Sequence, residues 1–397
     1  MTDTDGRDVW LVDAFTRTAL EGTPVAVLPD GGDLDAEQRR AVAGEFAGGS
    51  TAAVAPDPTG DADRRLDVGR PVDDTATVDP PRNDHAAVAA HAALFSAGAI
   101  EPGSHTVATP DGPRGVEVSP DGRAWVAQPD ASVERVVDTT HRDVADALGC
   151  ATEALAGLAD DLPLAVAETV APVLVVPVTY LQELGGAEPE PEPLGALCAA
   201  VDAAGVVPFT FDTVAGHALH CRQFVPDAGA AALGAQRPAD GLESLPTGAG
   251  AGAVAAYLRA FGAFESAASD GGEPSDSADA DGPEDGGADA GDDETDGDMD
   301  WEVREVTDLA GVPGGGDGTA DGDGASALGG LTAAGADVDV DLGLPDEFAV
   351  ECGHYLDRPG VVHVRTGTGI QVGGHAAVAL EGRVAVPEPA DDDITVA

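Results

Sequence analysis

The chain contains no lysine: its nineteen basic residues are all arginines, set against 73 acidic ones for a net charge of −54. No basic patch is available to neutralise phosphates, so nucleic-acid binding is not expected. Cysteine is scarce, with Cys150, Cys198, Cys221 and Cys352 scattered and no CxxC pair. A disulfide framework or a zinc site therefore has little support, and no metal is expected. No stretch approaches the roughly 20 apolar residues of a membrane span. The opening MTDTDGRDVW carries no charged-then-apolar signal pattern, so the expectation is a soluble, cytoplasmic protein without a membrane partner.

The acidity is that of a protein from a cytoplasm holding molar salt. At about 1 M salt the screening length is roughly 3 Å, and surface carboxylates repel one another weakly. At low salt the same charge strains the compact state. At 397 residues the chain is long enough for two domains, each with its own core.

Two stretches organise the rest. ESLPTGAGAGAVAAYLRAFGAF, Glu243 to Phe264, begins with a turn and continues as a small-residue helix whose first turn is almost bare of side chains. Backbone N–H groups there can approach an anion closely. NDHAAVAAHAALFSAG, Asn83 to Gly98, repeats the design in the other half: a polar start, small residues, a closing glycine. Two such helices suggest an internal duplication with a site between the halves.

Taken in order, Val9 to Leu28 reads as strand, loop and strand, and Asp35 to Phe46 as a helix ended by Gly48-Gly49. A helix over His85 to Ala97 is followed by Thr106 to Val118 and Arg123 to Ala127, a hairpin across Asp121-Gly122. In the second half, Pro172 to Val178, Val206 to Phe211 and Leu219 to Val225 read as strands, and Pro193 to Val201 as a helix. Glu265 to Asp300 carries fifteen acidic residues and no basic one, and Gly314 to Gly330 is rich in Gly and Asp. Such composition does not offset its ordering entropy, which predicts a largely disordered surface insertion. From Phe348 onward three or four strands are expected.

In that order the segments resemble the phenazine-biosynthesis PhzF-like family. VDAFTRTALEGTPVAVL is similar to the family's opening, AEQRRAVAGEFAGGSTAAV to its first helix and active-site loop, and HAAVAAHAAL to its histidine-bearing helix. LHCRQFVPDAG, LPTGAGAGAVAAYL and ECGHYLDRPGVVHV with QVGGHAAVALEGRV are similar to successive pieces of the second half. The resemblance implies an α+β fold of two similar domains related to diaminopimelate epimerase. Each domain is a β-barrel-like sheet around a central helix, with the site in the cleft between them. The expected division is residues 1–128, then 129–264 with 346–397, and the insertion at 265–345. The implied function is an isomerase that moves a proton on a small unsaturated or cyclic carboxylic acid without a cofactor. The family's dimers imply a homodimer.

Departures from the pattern bear on the chemistry. The family's catalytic glutamate falls on Ser50, before Thr51, and its aspartate on Ser244, while its histidine is kept as His85. A hydroxyl is no base at neutral pH unless another group takes its proton. Asp84 beside His85, Glu45 near the loop and Glu243 beside Ser244 are candidate replacements, and a Ser50–His85–Asp84 nucleophilic arrangement is conceivable. Thr51, Thr247, Gly248 and Ala249 are candidate binders of a substrate carboxylate. Cys221 reads as a small core residue, and His217 and His220 as structural positions. The alternative function is an inactive small-acid binding protein on the same fold.

Overall fold

A computed structural model describes residues 6–46, 49–69, 83–110, 112–156, 162–238, 241–262 and 345–386. The expected insertion at 265–345 lies outside the described residues except for its last residue, Pro345. What is described belongs to one compact unit formed by 1–271 and 341–397.

The first part of the chain gives β1 (Arg7–Ala14), β2 (Thr23–Leu28), α1 (Ala36–Glu45), β3 (Ser50–Ala55), β4 (Arg64–Gly69), α2 (Asp84–Ser96), β5 (Gly103–Thr109), β6 (Gly112–Val118) and β7 (Ala124–Ala127). The second gives β8 (Ser132–Arg135), α3 (His141–Leu148), α4 (Glu153–Ala156), β9 (Ala165–Glu168), β10 (Pro172–Pro177), α5 (Leu181–Gly185), α6 (Pro191–Ala200), β11 (Gly205–Thr210), β12 (Leu219–Cys221), α7 (Asp227–Leu233) and α8 (Gly248–Phe261). After the insertion come β13 (Glu347–Cys352), a 3-10 turn (His354–Leu356), β14 (Gly360–Arg365), β15 (Gln371–Gly374) and β16 (Ala376–Val384).

All sixteen strands share one sheet, in the order β16-β1-β2-β3-β4-β5-β6-β7-β15-β14-β13-β12-β11-β10-β9-β8. From β16 to β7 the pairings run antiparallel, antiparallel, parallel, antiparallel, parallel, antiparallel, antiparallel. From β8 to β15 the same series recurs. The runs meet where β7 pairs antiparallel with β15. Within the runs a helix bridges each parallel pair, as such pairs require: α1 joins β2 to β3 and α2 joins β4 to β5. In the second run α5 and α6 join β10 to β11, while α7 and α8 lie between β12 and β13.

The chain trades its last strand between runs. β16, from the C-terminal segment expected to complete the second half, pairs with β1, and β8 opens the second run immediately after β7. The chain passes from the first run to the second between β7, which ends at Ala127, and β8, which begins at Ser132.

α2 packs on strands of the first run and α8 on strands of the second. Every residue of α2 from Asp84 to Leu94, and of α8 from Gly248 to Leu258, is buried. A helix apolar on all sides belongs inside a protein, and alanine and glycine let strands close around it. The apolar residues of both helices join one continuous core. Strands β10 and β11, PVLVVP and GVVPFT, are apolar along their whole length because both faces are covered.

Local departures from the sequence reading are few. The run Thr106 to Val118 is two strands, β5 ending at Thr109 and β6 beginning at Gly112, paired antiparallel with Thr109 opposite Gly112. Leu219 to Val225 is a strand only to Cys221, after which Phe224 makes single bridges to Val206 and Glu243.

Candidate active site

The α2 N-terminus is built by Asn83, the only asparagine of the chain, whose side chain accepts from Ala86 N at 2.9 Å. Capping by a short polar side chain satisfies a donor the helix leaves open. Its amide nitrogen then donates to Ser50 Oγ at 3.0 Å, tying α2 to the first residue of β3. Ser50 is 1% exposed and its Oγ lies 3.2 Å from His85 Nε2.

Gln236 completes the cluster. Its Nε2 lies 3.1 Å from Ser50 Oγ and 3.0 Å from His85 Nε2. Ser50 Oγ accepts from both Asn83 and Gln236, which fills its two lone pairs and leaves its hydroxyl proton to point at His85 Nε2. That accounting assigns Nε2 as an acceptor and the ring proton to Nδ1. Ser244 enters one step back: Gln236 N donates to its Oγ at 3.2 Å, and Leu245 N donates to Gln236 O at 2.8 Å. The structure therefore brings Ser50, His85 and Ser244 together through a residue that sequence reasoning missed. Gln236 follows Gly234, the left-handed end of α7, and no local pattern marks it.

Asp84 does not join this network. Its carboxylate lies 2.5 Å from Arg114 Nη2 and accepts from Gln128 Nε2 at 2.8 Å, all three side chains packed on β6 and β7. As first residue of its helix it leaves the axis in a different direction from His85, so the conceivable Ser50–His85–Asp84 relay is not assembled. The other candidate replacements lie in different settings. Glu45 is exposed at the end of α1, and Glu243 is buried against Arg222 at 2.7 Å.

The start of α8 comes against the start of α2. Gln128 Nε2, which holds Asp84, also donates to Gly248 O at 2.8 Å. A Cβ on Gly248 would stand 2.7 Å from Asp84 Cβ and 2.8 Å from Val372 Cγ2, so this approach requires glycine. Thr247 caps α8 by accepting from Gly250 N at 3.2 Å, while its hydroxyl donates to Gln223 Oε1 at 2.6 Å. Ala249 is buried in the first turn, and Thr23 donates to Pro246 O at 2.7 Å, pinning the preceding loop to β2. Thr51 is fully buried, and its Oγ1 has no partner among the described residues. Cys221 is buried in the core.

The model of the family described as phenazine biosynthesis-like protein (PhzC-PhzF) matches residues 12–273, from β1 through the whole of α8. The chain belongs to that family. An uncharacterized isomerase of Bacillus subtilis is 27% identical over 263 residues, spanning 65% of this chain and 83% of that protein. Among solved structures, a PhzF-family phenazine biosynthesis protein of Bacillus anthracis aligns with a TM-score of 0.64 at 17% identity, covering 96% of this chain and 99% of that one. A predicted epimerase of Pseudomonas aeruginosa aligns at 0.59 and 19% identity, covering 96% and 100%. At these identities the likeness is one of fold: a mixed α/β arrangement of a large sheet and several helices. In this PhzF-family chain no described helix is long and apolar enough to cross a membrane.

Proposed function

We propose that this PhzF-family protein is an isomerase that moves a proton on a small unsaturated or cyclic carboxylic acid, with His85 Nε2 carrying the proton. The observation behind this reading is the buried cluster in which Ser50 and Gln236 both stand within hydrogen-bond distance of that nitrogen. A neutral imidazole is the group in the cluster able to take a proton near pH 7. Asn83 and Gln236, each with a second amide proton, supply donors for the negative charge that develops on the acid as the proton leaves. Substrate carboxylate is held at the start of α8 by Thr247, Gly248 and Ala249, with Thr51 beside them. In this reading Ser50 and Ser244 stand where the family's carboxylates do, and act as hydrogen-bonding groups. Each run of eight strands closes around its helix as a domain, the site lies between them, and the protein works as a homodimer in the cytoplasm without a cofactor.

A second reading, a binder of small acids without chemistry, is favoured by the commitment of Asp84 to Arg114 and of Glu243 to Arg222. One experiment separates the two. Small cyclic and β,γ-unsaturated acids are incubated with the protein in deuterated molar salt and followed by NMR. Deuterium incorporation that falls at least about 100-fold in His85→Gln supports the isomerase. Line broadening of a bound acid with no incorporation supports the binder.

A further inference from the structure

Five of the chain's nine histidines gather around one cavity of about 340 Å³ whose lining contains neither Ser50, His85 nor Ser244. His217, His354, His363 and His375 line it together with Glu351, and His220 lies behind His354 with ring centroids 4.8 Å apart. His220 sits on the short strand β12, Glu351 beside it on β13, and His354 on the 3-10 turn that follows; the ladder sets His220 opposite Glu351.

His220 and Glu351 are completely buried. The Glu351 carboxylate accepts from the backbone N–H groups of Val214 and Ala215, both at 2.8 Å, and of His217 at 3.3 Å, which fixes its place. His220 Nδ1 stands 3.2 Å from Glu351 Oε2. Two nitrogens remain: His220 Nε2 and His354 Nδ1 are both buried without a hydrogen-bond partner among the described residues. Orphaned buried imidazole nitrogens cost stability unless something outside the chain uses them. One ligand-capable atom from each of His220, Glu351 and His354 lies within 4.8 Å of the others. The charge nearby is balanced, since Arg222 is paired with Glu243 at 2.7 Å.

We propose that His220, His354 and Glu351 form a site for a borderline divalent transition ion such as Zn²⁺, facing the histidine-lined cavity. Two imidazoles and a carboxylate are the donor set such ions take, and they leave a fourth position open. His220 Nδ1, 3.2 Å from Glu351 Oε2, is held by that carboxylate, which leaves Nε2 as the nitrogen of this ring free to ligate. His354 stands on a half-buried turn at the cavity wall, where it is the least constrained of the three. The cavity supplies the entry path and the space for a further ligand. Sequence spacing hides the site, because the ligands come from segments separated by the acidic insertion.

The test uses the full chain, stripped with chelator and kept in molar KCl so that surface carboxylates do not collect ions. Titration with Co²⁺ alone reads the visible absorption of a nitrogen-ligated ion, and Zn²⁺ competition reads affinity. One equivalent bound by wild type, with affinity falling at least tenfold in His354→Ala, supports the site. His354 is half-buried, so this variant folds where a His220 substitution would leave a cavity, and its circular dichroism checks that. Mg²⁺ failing to displace Co²⁺ supports it further. Equal Co²⁺ spectra and affinities in wild type and His354→Ala, or no bound ion in either, would overturn the proposal.

Discussion

Asp84 and Arg114 meet in the interior, with side chains only 2% and 6% exposed and oxygen and nitrogen 2.5 Å apart. The pair joins the first residue of α2 to β6, and through Gln128 to Gly248 O. It is a strut between the two central helices rather than part of the Ser50–His85–Gln236 cluster.

Asp84→Asn therefore leaves the guanidinium of Arg114 buried without its counter-charge. Breaking one partner of a buried pair costs about 3–5 kcal/mol. Urea unfolding of Asp84→Asn is expected to show that loss, and the double variant Asp84→Leu/Arg114→Leu a smaller one. Equal losses would mean that the pair is not coupled.

Gln236 is expected to matter more for the site than its anonymity in the sequence suggests. Gln236→Leu removes both donors aimed at Ser50 and His85. It leaves their buried atoms short of partners, a cost of about 1–3 kcal/mol. Thermal unfolding reads the loss. The His85 ring proton, followed by NMR, is expected to redistribute between the two nitrogens once the amide no longer addresses Nε2.

Acid stability follows from His91 and His363. Burial pushes His91 down to about 4, and burial followed by the Arg123 charge pushes His363 down to about 4, from 6.5 in the free side chain. A histidine whose folded pKa is depressed is neutral in the fold while the unfolded chain takes up the proton. Its contribution is whole above pH 6.5 and is lost as pH falls towards about 4. The gap of 6.5 minus about 4 corresponds to roughly 3 kcal/mol for a fully buried group. His91 donates Nδ1–H to Ala87 O at 2.8 Å inside α2, and its Nε2 is buried without a partner among the described residues. His91→Leu is expected to flatten the fall in unfolding free energy between pH 6.5 and 4, while wild type keeps the full slope. An unchanged slope would assign the acid limb elsewhere.

Salt dependence follows from the net charge of −54. Raising KCl from about 0.15 M to 1 M shortens the screening length from roughly 8 Å to 3 Å. The expected outcome is a Tm that climbs continuously over this range, with sucrose at equal osmolality giving a smaller rise. A Tm independent of KCl would mean that the acidic residues are too dispersed to repel one another.

The sequence alone determined the two small-residue helices, because glycine and alanine spaced in this way leave a helix no face to turn towards water. It also determined the family, through the order of segments from VDAF to QVGG. Asn83 was legible as a polar helix start because its cap is local in the chain. The tertiary structure decided what no spacing could carry. Gln236 reaches His85 across 151 residues, and Arg114 draws Asp84 away across 30, because the folds of β6 and α7 place them there. The passing of β16 to the first run depends on strand pairing over more than 350 residues, which local patterning does not record. The pairing of His220 with Glu351 is of the same kind: each reads as an ordinary strand residue until β12 and β13 lie side by side.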